Sequence, residues 1–76
     1  MTTMANNFIR KIRAEKQIML IELAKSTGLL VEDIFNFEKG IGDLVQEDLS
    51  KIATELGVSI NYILTGKSEE SDFKNS

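Results

Sequence analysis

The apolar residues of this chain recur at intervals of three and four, the spacing that places side chains on one face of an α-helix. Stretches with this spacing predict helices over residues 8–16, 20–26, 30–39, 44–56 and 60–65. The pattern therefore predicts a compact all-α fold of five helices.

The stretch 20–39 is the centre of this pattern, because two short helices meet there at a tight turn. Ile34 and Phe37 recur at helical spacing in the second of them. Gly28, between the helices, can adopt a positive φ without a steric clash, and the small Ala24 lets the two helices cross closely. These features predict a helix-turn-helix unit.

Polar residues next to the apolar stretches suggest where helices begin. Asn6 or Asn7 is a plausible N-cap of the first helix, and Ser59 of the last. Asp43 followed by Gln46 three residues later resembles a capping box, which predicts that the fourth helix starts directly after Asp43.

Length and composition restrict the class of protein. The 76 residues allow one domain, predicted over 6–66, between a frayed segment 1–5 and a disordered acidic tail 67–76. The chain has no cysteine and no histidine, so we expect no disulfide, structural zinc, cofactor or catalytic residue. Its longest apolar run, 18–21, is far shorter than a membrane span, so we expect a soluble, cytoplasmic protein.

Charge is distributed unevenly along the chain, whose net charge is −3. Residues 1–27 contain five basic and two acidic residues, whereas 28–50 contain one basic and six acidic residues. Because lysine and arginine supply most of the non-specific affinity for nucleic acid, the acidic stretch argues against a simple nucleic-acid binder.

The segment 8–66 resembles the Cro/Xre-type, lambda-repressor-like helix-turn-helix family of phage repressors and bacterial regulators. The resemblance is carried by Glu22-Leu23-Ala24, Gly28, Ile34, Glu38, Gly40, Lys51-Ile52-Ala53, Leu56-Gly57-Val58-Ser59 and Asn61-Tyr62-Ile63-Leu64-Thr65-Gly66. It implies a compact five-helix domain whose third helix reads double-stranded DNA. It also implies a largely buried ion pair between Arg13 and Glu38, although both could instead be exposed and unpaired.

The resemblance assigns candidate DNA contacts at Arg10, Lys11, Leu20, Lys25, Leu30, Val31, Glu32, Asn36 and Lys39. Among these, Asn36 can form two hydrogen bonds with adenine, and Glu32 can accept a hydrogen bond from cytosine N4. Val31 can contact the methyl group of thymine. Residues 19–21 are apolar where the family commonly has polar residues that hold a phosphate, so one phosphate contact is doubtful.

The last helix contains more apolar residues than one core-facing stripe requires, namely Ile60, Tyr62, Ile63 and Leu64. Relatives often pair through this end, so we expect a homodimer with its interface there.

The sequence is consistent with two functions. The first is a repressor that binds an operator as a homodimer. The alternative is an antirepressor-like protein that binds a protein partner through an apolar patch rimmed by Glu32 and Asp33. The predicted patch consists of Leu20, Ile21, Leu30, Val31 and Phe35. An enzyme is disfavoured because no nucleophile-base pair or phosphate-binding glycine motif is present, and the acidic run 69–72 lacks metal-ligand spacing.

Overall fold

The computed structural model describes residues 7–67. It contains α1 (Ile9–Lys16), α2 (Leu20–Thr27), α3 (Val31–Glu38), α4 (Gln46–Leu56) and α5 (Ile60–Thr65). No strand occurs within 7–67, so the prediction of a five-helix all-α fold is confirmed for that part of the chain. The predicted frayed segment 1–5 and acidic tail, apart from Lys67, lie outside the described residues.

One hydrophobic core joins all five helices, and α4 contributes most to it. Four α4 residues at intervals of three and four are buried: Leu49, Ile52, Ala53 and Leu56. Through them α4 packs against α1, α2 and α5. The remaining core residues are Ile9, Ile12, Leu23, Ala24, Ile34, Phe37 and Ile63. The apolar spacing in the sequence thus corresponds to the buried faces.

Two of the predicted helix boundaries are present. Gly28 ends α2 with a φ of 78°, and its N–H donates to the Ala24 carbonyl at 2.9 Å. The Ser59 Oγ accepts the N–H of Tyr62 at 3.0 Å and so caps α5. Because a residue other than glycine rarely adopts this φ, Gly28 allows α3 to follow α2 after a very short turn.

The predicted start of α4 is wrong. Val45 occupies the N-cap position with an extended backbone, and the helix begins at Gln46 rather than after Asp43. Leu44 packs against the core in the segment before the helix. The helix therefore begins after this leucine, and the capping-box pattern of Asp43 and Gln46 is not used.

Among residues 7–67, no helix has both the length and the apolar character needed to cross a membrane. The longest, α4, has 11 residues.

Candidate nucleic-acid interface

Helix α3 has one buried side and one exposed side. Ile34, Phe37 and Glu38 are buried, whereas Leu30, its N-cap residue, is 66% exposed. The other exposed residues of the helix are Val31, Glu32, Asp33 and Phe35. The helix-turn-helix stretch thus presents a complete helix face to solvent, as the apolar spacing predicted.

Arg13 and Glu38 form the ion pair that the family resemblance implied. The Arg13 Nε donates to Glu38 Oε2 at 2.7 Å, and Nη2 donates to Oε1 at 3.1 Å. The third donor, Nη1, reaches the Ile18 carbonyl at 3.0 Å. Only 14% of the Arg13 side chain and 3% of the Glu38 side chain are exposed. This two-point pairing attaches the end of α3 to α1 and to the segment that precedes α2.

Asn7 attaches the same end of α3 at a second place. Its Nδ2 donates to the Phe37 carbonyl at 2.7 Å, and its Oδ1 accepts the N–H of Ile9 at 3.2 Å. The side chain is buried, and Phe8 rather than Asn7 occupies the N-cap position of α1. The sequence suggested only a capping role for Asn7, because a bond to a residue 30 positions away leaves no local signal.

The edges of α3 have different neighbours. At about 100° per residue, Glu32, Asn36 and Lys39 point most directly away from the core. Val31 and Phe35 lie on the edge next to Glu38. Because Arg13 joins Glu38 to Ile18, this edge faces the start of α2.

Lys39 directly follows α3, and its side chain packs over the ring of Phe35. The Lys39 Nζ lies 4.4 Å from the centroid of the Phe35 ring, a cation–π contact between residues four apart. Both side chains are exposed. The contact holds the ammonium against the exposed face of α3.

The predicted basic contacts are not all on one side. Arg10 lies three residues before Arg13, so it shares the edge of α1 that faces the end of α3. Lys11 projects from nearly the opposite side of α1 and is not brought to this edge. Lys25 is exposed in the last turn of α2.

Leu20 does not belong to the exposed surface. It is half-buried and packs against the core, because it lies three and four residues before the buried Leu23 and Ala24. The predicted apolar patch therefore loses Leu20. Of its two α2 members, Ile21 is exposed, and Met19, directly before the helix and outside the predicted patch, is exposed as well.

Pairing reduces the acidic charge that α3 presents. The Glu38 carboxylate is bound by Arg13, which leaves Glu32 and Asp33 as the exposed acids of this helix. Of the six acidic residues in 28–50, these two alone are exposed on α3.

Asn36, the predicted adenine reader, is half-buried on the outward side. Its backbone carbonyl accepts the N–H of Ile41 at 2.8 Å, and the Phe37 carbonyl accepts the N–H of Gly40 at 2.9 Å. With Gly40 at a φ of 83°, these two bonds form a Schellman motif that ends α3.

The predicted dimer interface is wrong at Ile63, which is 0% exposed and belongs to the monomer core. Helix α5 is covered by α4 and by the start of the described chain, where the Phe8 N–H donates to the Ile63 carbonyl at 2.7 Å. Ile60 and Tyr62 are half-buried against the core, whereas Leu64 is 41% exposed.

A shallow groove of about 400 Å³ lies between the C-terminal end of α2 and the surface of α4. It is lined by Ser26, Thr27, Ser50, Lys51, Thr54 and Glu55. The Thr27 hydroxyl already donates to the Leu23 carbonyl at 2.8 Å. Within 7–67, no cluster of three or more histidine, cysteine, aspartate or glutamate residues could hold a metal ion.

No protein-family model matches the chain, and no curated protein or solved structure matches it. Its function is therefore inferred from the geometry of α2, α3 and their surroundings.

Proposed function

We propose that this chain is a sequence-specific DNA-binding transcription regulator of the Cro/Xre, lambda-repressor-like helix-turn-helix type. Helix α3 is the recognition helix. The protein acts in the cytoplasm as a homodimeric repressor, by occupying an operator and excluding polymerase rather than by catalysis.

The observation that carries this proposal is the contrast between the two sides of α3. Its inner side is buried, and its end is held by Arg13 and by Asn7, while its outer side is free. An α-helix with its side chains is about 10–12 Å wide, close to the roughly 12 Å width of the major groove of B-DNA. A fixed helix with a free outer face is what insertion into that groove requires.

The proposed phosphate contacts are Arg10, Lys25 and Lys39, all of which are exposed. Three contacts per subunit give a dimer a slope of log K against log salt of roughly −5, at about −0.9 per neutralised phosphate. Glu32 and Asp33 oppose this attraction, so the electrostatic part of binding is expected to be modest.

The homodimer places two copies of α3 in successive major grooves, about 34 Å apart. Leu64, with the partly exposed Ile60 and Tyr62, remains as the candidate contact surface on α5. Ile63 is not part of it. Sedimentation equilibrium of Leu64→Lys tests this surface, because the substitution spares the core. A dimer that Leu64→Lys leaves intact would contradict the α5 interface.

A mobility-shift selection from genomic fragments at about 50 mM salt tests DNA binding where the electrostatic term is strongest. Asn36→Ala should weaken binding to the selected site by about 1–3 kcal/mol and leave the salt slope unchanged. Arg10→Ala should weaken binding to all sequences and flatten the slope. Asn61→Ala on α5 is the matched control and should change neither.

Failure to retain any fragment at tens of micromolar dimer would contradict DNA binding. It would favour a second candidate, an antirepressor-like protein whose partner contacts the same face. The observation in its favour is that Met19, Ile21, Leu30 and Phe35 are exposed apolar residues close to acidic ones. A partner captured from a lysate should then be lost with Phe35→Ser and retained with Leu64→Ser.

A further inference from the structure

We propose that α3 reads A·T-rich half-sites, with Leu30 and Val31 contacting the 5-methyl groups of thymine and Asn36 pairing with adenine. This inference rests on the proposed function and names the class of sequence that the interface binds.

The first argument is the position of the exposed apolar side chains. Leu30 is the N-cap of α3, and Val31 is its first residue. In helix-turn-helix proteins the N-terminal residues of the recognition helix contact the base edges. The thymine methyl is the apolar group that the four bases present in the major groove. It is therefore the base feature that Leu30 and Val31 can bind without burying an unpaired polar atom.

The second argument is the lack of a free guanine reader on α3. Guanine presents two acceptors, N7 and O6, which arginine or lysine usually contacts. The Arg13 guanidinium is engaged by Glu38 and by the Ile18 carbonyl. Lys39 is the remaining cation at α3, but it lies at the C-terminal end with its ammonium over Phe35.

The carboxylates do not decide between the two base pairs. Glu32 and Asp33 lie in the first turn of α3, close to where base edges would be contacted. A carboxylate accepts hydrogen bonds only, so it is repelled by the paired acceptors of guanine. It can accept a hydrogen bond from the N6 amino group of adenine and equally from the N4 amino group of cytosine. The preference for A·T therefore rests on Leu30, Val31 and the amide of Asn36.

Selection from a pool of duplexes with randomised sequence is the experiment. We expect A·T-rich half-sites to be enriched. Replacing thymine by deoxyuridine in a selected duplex then removes the 5-methyl group and preserves base pairing. Burying a methyl-sized group favours binding by a roughly constant free energy. Each contacted thymine that is replaced by deoxyuridine should therefore weaken the binding constant by about fourfold.

Val31→Ala and Val45→Ala form a matched pair of variants. Val45 is also exposed but lies before α4, outside α3. Val31→Ala should remove the difference between thymine and deoxyuridine at one position of each half-site, and Leu30→Ala should remove it at a neighbouring position. Val45→Ala should keep the full difference. Circular dichroism would verify that all three variants are folded.

Four results would overturn the inference. Enriched G·C-rich sites, or binding that deoxyuridine does not change, would refute thymine reading while leaving DNA binding established. A thymine preference unaffected by both Val31→Ala and Leu30→Ala would refute the assigned readers. Retention of no duplex at all would refute the proposed function together with this inference.

Discussion

Helices α2 and α3 differ from α4 and α5 in how they use apolar residues. In α4 and α5, with their N-cap residues, every large apolar side chain is buried or half-buried except Val45 and Leu64. In α2 and α3, with their N-cap residues, five are exposed: Met19, Ile21, Leu30, Val31 and Phe35. Core packing therefore accounts for most of the apolar residues of the second pair of helices, but not for those of the first.

This difference separates side chains that stabilise the fold from those available for binding. Apolar area contributes roughly 25 cal/mol per Å² only when it is removed from water. The exposed side chains of α2 and α3 therefore contribute little to folding. They would gain that free energy on contact with a ligand surface, which is why substitutions in the two regions should have very different effects.

The largest effect on stability is expected at the ion pair of Arg13 and Glu38, which attaches α3 to α1. Arg13→Met leaves the buried Glu38 carboxylate without its cation, which should lower the free energy of unfolding by about 3–5 kcal/mol. Urea denaturation followed by circular dichroism measures the change.

The control for this ion pair is the double variant Arg13→Met with Glu38→Leu. Because it removes both charges, it should cost less than the sum of the two single substitutions. Single variants that leave the urea midpoint unchanged would show that the pair contributes nothing to the attachment of α3.

The next effect distinguishes two neighbouring residues of α5. Ile63→Ala opens a cavity in the core and should cost about 2–5 kcal/mol. Leu64→Ala alters an exposed residue and should change the free energy of unfolding of the monomer by less than about 0.5 kcal/mol. Thermal unfolding at low protein concentration compares them. Equal losses would mean that α5 is not packed as described.

A smaller effect is expected at the second attachment of α3. Asn7→Ala removes one of the two donors to the Phe37 carbonyl, which keeps the Gly40 N–H at 2.9 Å, and should cost about 1 kcal/mol. Asn61→Ala is the control, because its amide makes only a long, exposed bond to the Lys67 carbonyl at 3.4 Å. Hydrogen exchange of the amides in the last turn of α3 should accelerate in Asn7→Ala and not in Asn61→Ala.

Most features with a local signal in the sequence were predicted well. The exceptions are the start of α4, which the capping-box pattern of Asp43 and Gln46 places too early, and Leu20, whose spacing to Leu23 places it on the buried face. The five helices follow from apolar spacing, and the turn at Gly28 and the cap at Ser59 follow from residue type. The pair of Arg13 and Glu38 was expected from family resemblance, since nothing local connects residues 25 positions apart.

Features that depend on tertiary packing were missed. The apolar composition of α5 predicts a dimer surface that includes Ile63, but α5 is covered on more than one side in the fold. In the sequence, Asn7 cannot be distinguished from an asparagine that only caps a helix. Its hydrogen bond to the Phe37 carbonyl depends on the fold.

The smallest effect on stability is expected on the outer face of α3. It is also the effect that tests whether the exposed apolar residues there serve binding rather than folding. Leu30→Ala should change the free energy of unfolding by less than about 0.5 kcal/mol, because two thirds of the side chain is already in water. Leu49→Ala, the same substitution at a buried position of α4, should cost about 2–5 kcal/mol. Urea midpoints of the two variants give the contrast directly. A loss above about 1 kcal/mol for Leu30→Ala would mean that this leucine packs within the domain, since surface substitutions rarely cost that much. It would then no longer be available to contact a base, and the exposed apolar surface of α3 would have to be explained by folding rather than by binding.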